Sequence, residues 1–391
     1  MTRKPRSTLA TSLAACAFAL AIATPSHADE PAALSPPTSA AKPAPATPPA
    51  TKPATDAPLG RPAEPTAAGT TGLVVKPGVE VIAEYQLRVT RTAAGSEWFH
   101  TFELPRAHGS ITGEYGPARA RIVLEAVRSA SEGALLGVAG DSLVFRVREA
   151  SAGFRHGGWL AIDAGVVPTL TVPELDGTFA MRALAASPAE RAGLYAPADL
   201  GATARALFPD GYGFVAIAAT NGEGYTGPER NRGKNLEAAV EVHPLAAFET
   251  ARPIGLFASY VAGSSGVEKA RADRVTGALV WQGTRLRGAV AITHAWGVGA
   301  DGDRRSLLVD AFLRAEPVDR LIFGVRGFSW LRDLATSSDR VTELTGAAGY
   351  RIADPLEAFL AVARTFPEAV AKDALPGLDR WTLRAIARAC F

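Results

Sequence analysis

The sequence predicts an all-β fold, a transmembrane antiparallel up-and-down β-barrel of about sixteen strands. Three observations carry that expectation. From Val79 onwards, short segments broken by Gly, Pro, Asp and Asn alternate apolar and polar side chains with a period of two. The joins between them alternate too, short after even segments and mostly long after odd ones. Finally, each segment has one dry and one wet face, and in a bilayer an open sheet edge would leave backbone N–H and C=O groups without partners. Such strands must close on themselves.

Residues 1–28 read as an export signal: Arg3, Lys4 and Arg6, an apolar run from Leu13 to Ala23, then Ser26-His27-Ala28 as a small-residue cleavage site. The run is too short to cross a bilayer as a helix, and no later segment offers about 18 uncharged apolar residues. Leu13-Ala14-Ala15-Cys16 leaves open a lipidated Cys16, against which most of the apolar run follows the cysteine. Residues 29–72, rich in Pro, Ala and Thr, lack the apolar mass for a core. They are expected to form an extended periplasmic linker or solubilising tail, with the barrel spanning 73–391.

Charge narrows the partners. Removing the leader takes three of the 41 basic residues and none of the 39 acidic ones, leaving 38 against 39. Nucleic acid is excluded as a partner by that balance. The basic residues are 34 arginines and seven lysines, and with Cys16 gone Cys390 is the only cysteine, so no internal disulfide forms.

The expected strands run 79–91, 98–112, 118–128, 143–155, 158–167, 200–208, 212–220, 234–243, 254–262, 273–282, 285–296, 306–315, 320–332, 340–352, 356–365 and 380–391. Most are near the nine to eleven residues, roughly, that a tilted strand needs to cross hydrocarbon. "GEYGPA", "HG", "PDG", "PLAAFETARP", "GT", "EPVD" and "ADP" form the short set of joins. An even strand number returns the chain to the short-turn, periplasmic side, where Phe391 is expected to act as an insertion signal. Parity assigns the faces. Val81, Ala83, Tyr85, Leu87 and Val89 point outward in the first strand, against Ile82, Glu84, Gln86, Arg88 and Thr90. Trp98, Trp159, Trp281, Trp296, Trp330 and Trp381 fall near strand ends, where an aromatic girdle belongs, although Trp330 shares parity with Arg326 and is expected inside. The adjacent Arg148 and Glu149 cannot both face a lumen from a regular strand, so either a bulge intervenes or Glu149 lies outside the hydrocarbon.

Three stretches, "FELPRAHGSITGEYGPARARIVLEAVRSA", "SLVFRVREASAGFRHGGWLAIDAGVVP" and "NGEGYTGPERNRGKNLEAAVEVHP", resemble the phosphate-selective porin O/P-like family of Gram-negative outer-membrane channels. The likeness covers about residues 79–250 in order, and the rest in pattern. It implies a sixteen-stranded diffusion channel, often homotrimeric, whose third external loop folds inward to narrow the pore. By the strand count that loop is the connection from Pro168 to Asp199. Phosphate selection in that family leans on lysine and arginine arrays, whereas Lys234 is the only lysine within an expected strand here. The substrate is therefore not carried over.

Wet-face parity nominates Arg119, Arg121, Arg146, Arg148, Arg285, Arg287, Arg314, Arg320, Arg326, Arg351, Arg384 and Arg388 as pore-lining, with Glu84, Glu125, Glu237, Glu241, Asp310 and Glu343 as the acidic set. A wall richer in arginine than in acid predicts a weak anion preference. The opposite outcome is that arginines and acids pair and merely brace the barrel. The third loop offers Glu174, Asp176, Arg182, Glu190 and Arg191 to a constriction. No cofactor or metal site is expected: the histidines are scattered, and Asp301-Gly302-Asp303 lacks the later ligands of a calcium loop. No enzyme is expected either. The partners expected are outer-membrane lipid and lipopolysaccharide, the barrel-assembly machinery, and small anions or polar solutes. A barrel serving only as a structural or adhesive scaffold, and a soluble periplasmic β-protein, are the rival classes.

Overall fold

Residues 72–92, 94–128, 143–227, 232–265, 270–298 and 303–391 are described by the structure, a computed structural model. The export signal, nearly all of the linker, the long join after Arg128 and the Asp301-Gly302 pair lie outside the described residues. Sixteen strands form the wall: β1 (Val74–Thr92), β2 (Gly95–Tyr115), β3 (Ala118–Arg128), β4 (Leu143–His156), β5 (Leu160–Pro168), β6 (Ala198–Leu207), β7 (Gly213–Thr220) and β8 (Asn235–Val242). They continue as β9 (Ile254–Ala262), β10 (Arg274–Gln282), β11 (Leu286–Trp296), β12 (Arg305–Ala315), β13 (Leu321–Leu331), β14 (Arg340–Ala353), β15 (Leu356–Pro367) and β16 (Arg380–Cys390). Each pairs antiparallel with the next, and β16 pairs with β1 to close the barrel. No described helix is long and apolar enough to cross a membrane.

Closure satisfies what an open sheet could not. Glu80 lies opposite Cys390 and Thr90 opposite Arg380 along the seam. Beyond that ladder, Val79 and Phe391 exchange N–H···O bonds of 2.9 and 2.8 Å. Every strand of the barrel thereby has a neighbour on both sides. The first hairpin is taller than expected, since β1 begins at Val74 and β2 reaches Tyr115. Lys76 therefore sits in a strand, while Lys234 just precedes β8, reversing the expectation for the two lysines.

The ambiguity at Arg148 and Glu149 resolves as a bulge. Val123 pairs with Glu149 and Leu124 with Val147, leaving Arg148 without a ladder partner. Two residues oppose one, so both charged side chains turn into the lumen, where both are buried.

Outward positions are aliphatic and aromatic: Ile122, Leu124, Ile162, Ile217, Leu256, Leu279, Ile292, Val325, Leu360 and Leu383 are all exposed. A soluble monomer keeps its largest apolar patch to roughly 300–600 Å². A belt of this kind around a closed barrel fits acyl chains instead. The inward face departs from the simple wet expectation. Phe214, Phe257, Val280, Phe312, Ile322, Phe359 and Ile386 are buried inside, in one apolar cluster with Leu170, Leu175, Phe179, Met181 and Leu184 of the join after β5. Trp330 is inside as expected, its Nε1 donating to Ser306 Oγ at 2.7 Å.

One glycine fixes the start of β7. Gly213 has φ +122°, and a Cβ there would lie 1.9 Å from the Glu241 carbonyl oxygen. Gly213→Ala is expected to cost about 1–3 kcal/mol of stability or more, read as an earlier urea midpoint in detergent. An unchanged midpoint would show that this backbone shape is dispensable.

Candidate functional site: the lumen and its inward loop

The connection from Thr169 to Pro197 fills part of the barrel. Its two limbs are tied where they enter: Thr169 Oγ1 donates to the Ala196 carbonyl at 2.7 Å, and Thr169 N to Pro197 O at 3.2 Å. Between them lie α1 (Thr171–Phe179) and the single turn α2 (Pro188–Arg191).

A helix start leaves N–H groups without partners, and a carboxylate there meets both the hydrogen-bond need and the helix dipole. Glu237 of β8 supplies it, accepting from Leu170 N and Thr171 N at 3.0 Å each and from Thr171 Oγ1 at 2.6 Å. Thr171 Oγ1 also meets Ser259 Oγ of β9 at 2.7 Å. At the other end of α1, Phe179 packs on Phe312 with ring centroids 4.8 Å apart. The Arg326 guanidinium lies 5.1 and 5.3 Å from those two centroids and donates to both oxygens of Asp310, at 3.0 and 2.6 Å. Close approach continues at Gly324, where a Cβ would come within 2.6 Å of Met181 Sδ.

The return limb is anchored as firmly. Arg191 donates to both oxygens of Glu343 on β14, at 2.6 and 2.8 Å. Arg274 Nε donates to the Leu194 carbonyl at 3.0 Å. The Tyr195 hydroxyl meets Thr276 Oγ1 at 2.9 Å. Burial pushes that phenol up to about 12, so it keeps its proton at any physiological pH.

The five loop residues expected at a constriction divide by role. Asp176, Arg182 and Glu190 form one cluster, Arg182 donating to both carboxylates. Burial alone would lower the Arg182 pKa, but the two acids outweigh it and hold it above the usual range. Glu174 turns away, accepting from Arg205 on β6 at 3.0 Å, and Arg191 is held by Glu343. Across from the cluster, the gap between loop and wall closes to a cavity of about 20 Å³, bounded by Arg106, His108 and Arg148 on one side and by Val172, Asp176 and Arg182 on the other. A second cavity of about 60 Å³ is lined by Arg119, Arg121, Arg155 and Arg205, with Glu149 and Asp163.

Most of the nominated arginines face the interior of the barrel, and most are paired. Arg146 and Arg148 meet Glu125, the latter at 3.4 Å. Arg121 lies 3.0 Å from Glu149, Arg384 3.5 Å from Glu84, and Arg388 2.9 Å from both Glu80 and Glu357. Arg351 reaches Glu316 at 3.3 Å, and Arg314 pairs with Glu316 while donating to the loop carbonyl of Ala180. Glu241 accepts from Gln282 at 3.1 Å. Arg285 and Arg320 are placed elsewhere: both sit exposed in short turns, Arg285 3.6 Å from Asp319. Arg287 lies near that rim, donating to the Gly283 carbonyl at 3.3 Å.

Several inward arginines were not nominated, among them Arg106, Arg155, Arg205 and Arg274. Arg106 faces inward because the β1–β2 register shifts between Ile82 and Glu84, passing from Arg106 to Glu103 and flipping the alternation. Pro105 was the available signal, since proline within a strand marks a bulge or edge. Arg155 lies beyond the Arg148 bulge, which flips β4 in the same way. Arg205 sits in "LGATARALF", where small residues on both faces hide the period.

No protein-family model matches the sequence, and no curated protein does. Solved structures match in shape. The anion-selective porin from Comamonas acidovorans aligns with a TM-score of 0.57 at 12% identity, over 82% of this chain and all (100%) of that one. OmpF of Salmonella typhi, solved with daunomycin, gives 0.60 at 12% identity, over 81% and 97%. OmpT of Vibrio cholerae, expressed in the outer membrane, gives 0.55 at 10%, over 83% and 99%. At these identities the likeness is one of fold: this chain builds the closed barrel of outer-membrane porins.

Proposed function

We propose that the protein is an outer-membrane porin of a Gram-negative bacterium, a passive diffusion channel for small hydrophilic solutes or ions with a weak anion preference. The observation that carries the reading is the inward loop, which leaves beside it a gap lined by three guanidinium groups, Arg106, Arg148 and Arg182, against two carboxylates, Glu149 and Asp176. The second cavity adds four guanidinium groups against two carboxylates. Cations fixed on low-dielectric walls lower the barrier to anions, but pairing with acids along most of the wall keeps the preference weak. The likeness to the phosphate-selective porin O/P-like family is the finer form of this proposal, without its substrate. Homotrimer formation, contact with lipid and lipopolysaccharide, and recognition of the exposed terminal Phe391 by the assembly machinery belong to the same proposal. So do secretion by the residue 1–28 signal and a periplasmic spacer role for 29–72.

Planar-bilayer recording in a salt gradient tests it. Steady single-channel steps and a reversal potential of anion sign are expected, and Arg119→Gln with Arg121→Gln should move that potential towards zero. A cation-selective sign would remove the anion preference and leave the channel. Silence of the natural protein would favour the scaffold reading, which the apolar packing of the loop against β7–β13 supports.

A further inference from the structure

The join between β7 and β8 also turns inward, and it carries an aromatic residue that the pore reading does not use. Its first residues lie along the start of β6, where the large loop returns to the wall. Asn221 N donates to Leu200 O at 2.9 Å, Gly222 N to Asp199 Oδ2 at 2.6 Å, and Tyr225 N to Ala198 O at 3.0 Å. The fit is close: Gly224 has φ +74°, and a Cβ on it would come within 2.8 Å of Ala196 Cβ. This path delivers Tyr225 to Glu125 of β3 and to Arg146 and Arg148 of β4.

There the phenol is held from three sides. Its hydroxyl donates to Glu125 Oε1 at 2.7 Å and accepts from Arg146 Nη2 at 3.1 Å and Arg148 Nη1 at 3.4 Å. The guanidinium carbons of Arg146 and Arg148 lie 5.0 and 5.6 Å from the ring centroid, within cation–π range. Arg148 is also one wall of the narrow gap beside the large loop. A ring stacked on both arginines and bonded to their shared carboxylate holds them beside Glu125, with the Arg148 side chain 10% exposed and that of Arg146 40%.

We propose that Tyr225 is a second constriction element and a specificity-determining residue of the channel, holding Arg146 and Arg148 against Glu125 on the wall side of the gap. This rests on the porin reading above. Removing the ring should widen the approach and free two guanidinium groups to meet anions; removing only the hydroxyl should leave the width unchanged.

Bilayer recording of Tyr225→Ala, Tyr225→Phe and Tyr85→Ala tests this, Tyr85 being exposed on the outer wall. Tyr225→Ala should raise single-channel conductance and move the reversal potential further towards the anion, with Tyr225→Phe keeping the natural conductance and Tyr85→Ala the natural values of both. Natural conductance and selectivity in Tyr225→Ala would overturn the proposal. A readout independent of current keeps the two readings apart. With Cys390→Ser to remove the native thiol, Arg148→Cys should react with a water-soluble thiol reagent several-fold faster when Tyr225→Ala is added. Equal rates would overturn the Tyr225 assignment even for a barrel that conducts, and faster labelling in a silent barrel would uphold only the covering of position 148 by Tyr225 while the porin reading fell.

Discussion

Excision of residues 174–190 is expected to raise single-channel conductance several-fold and to erode whatever selectivity the natural channel has. The segment contains most of α1, the Asp176–Arg182–Glu190 cluster, and Leu175, Phe179, Met181 and Leu184, all buried against the inner wall. Taking it out removes one side of the narrow gap and leaves Phe214, Phe257 and Phe312 facing water. The barrel itself should survive, because its strands are closed by their own ladders. Stability should fall nonetheless, since each large apolar side chain returned to water forfeits about 1.5–3 kcal/mol. Conductance equal to that of the natural protein, in a variant whose gel mobility still shifts on boiling, would show that the resistance lies elsewhere.

The largest single-residue loss of stability is expected for Asp310→Ala. Arg326 is 4% exposed, sandwiched against Phe179 and Phe312, and Asp310 is the carboxylate that meets it in two bonds. Removing Asp310 leaves the buried guanidinium with only the Asp176 carboxylate, 3.9 Å away, so the cost should approach the roughly 3–5 kcal/mol of a broken buried pair. The exposed pair Lys76–Glu114, at 2.8 Å and with half of the lysine side chain in solvent, should by contrast contribute about 0–1 kcal/mol. Urea titrations in detergent of Asp310→Ala and Lys76→Ala separate the two cases. A double replacement, Asp310→Leu with Arg326→Met, should recover much of the loss, because it leaves no charge behind. If Asp310→Ala unfolds no earlier than Lys76→Ala, the Arg326 site is wetter than its geometry indicates.

How much was legible follows from the range of each signal. Strand direction and number depend on a period of two and on the lengths of joins, both local properties, and the wall strands fall close to the expected bounds. The bulge at Arg148 was visible because two adjacent charges cannot share one face of a regular strand. Arg106 was not, because the bulge near Pro105 places no charges side by side. Parity also says which way a side chain points and nothing of what it meets. Phe312 and Leu308 fall on the inward face as the alternation requires, yet they pack against neighbours supplied by joins far away in the chain. Arg191 and Glu343 are 152 residues apart, and no spacing rule joins them. The expected choice between a charged wall and a braced one was therefore beyond the sequence, and in most places bracing prevails.

The pairing of Val79 with Phe391 has a bearing on how the molecule comes to exist. Glu80 and Arg388, bonded at 2.9 Å, are separated by 308 positions, so this zipper joins the first and last strands of the barrel. Contacts of such high order form slowly, because the whole intervening polymer must be organised first. Until then β1 and β16 are raw edges, each able to template association with another chain. β16 must be made before the ring can shut, so β1 waits for a partner through the synthesis of the fourteen strands between them.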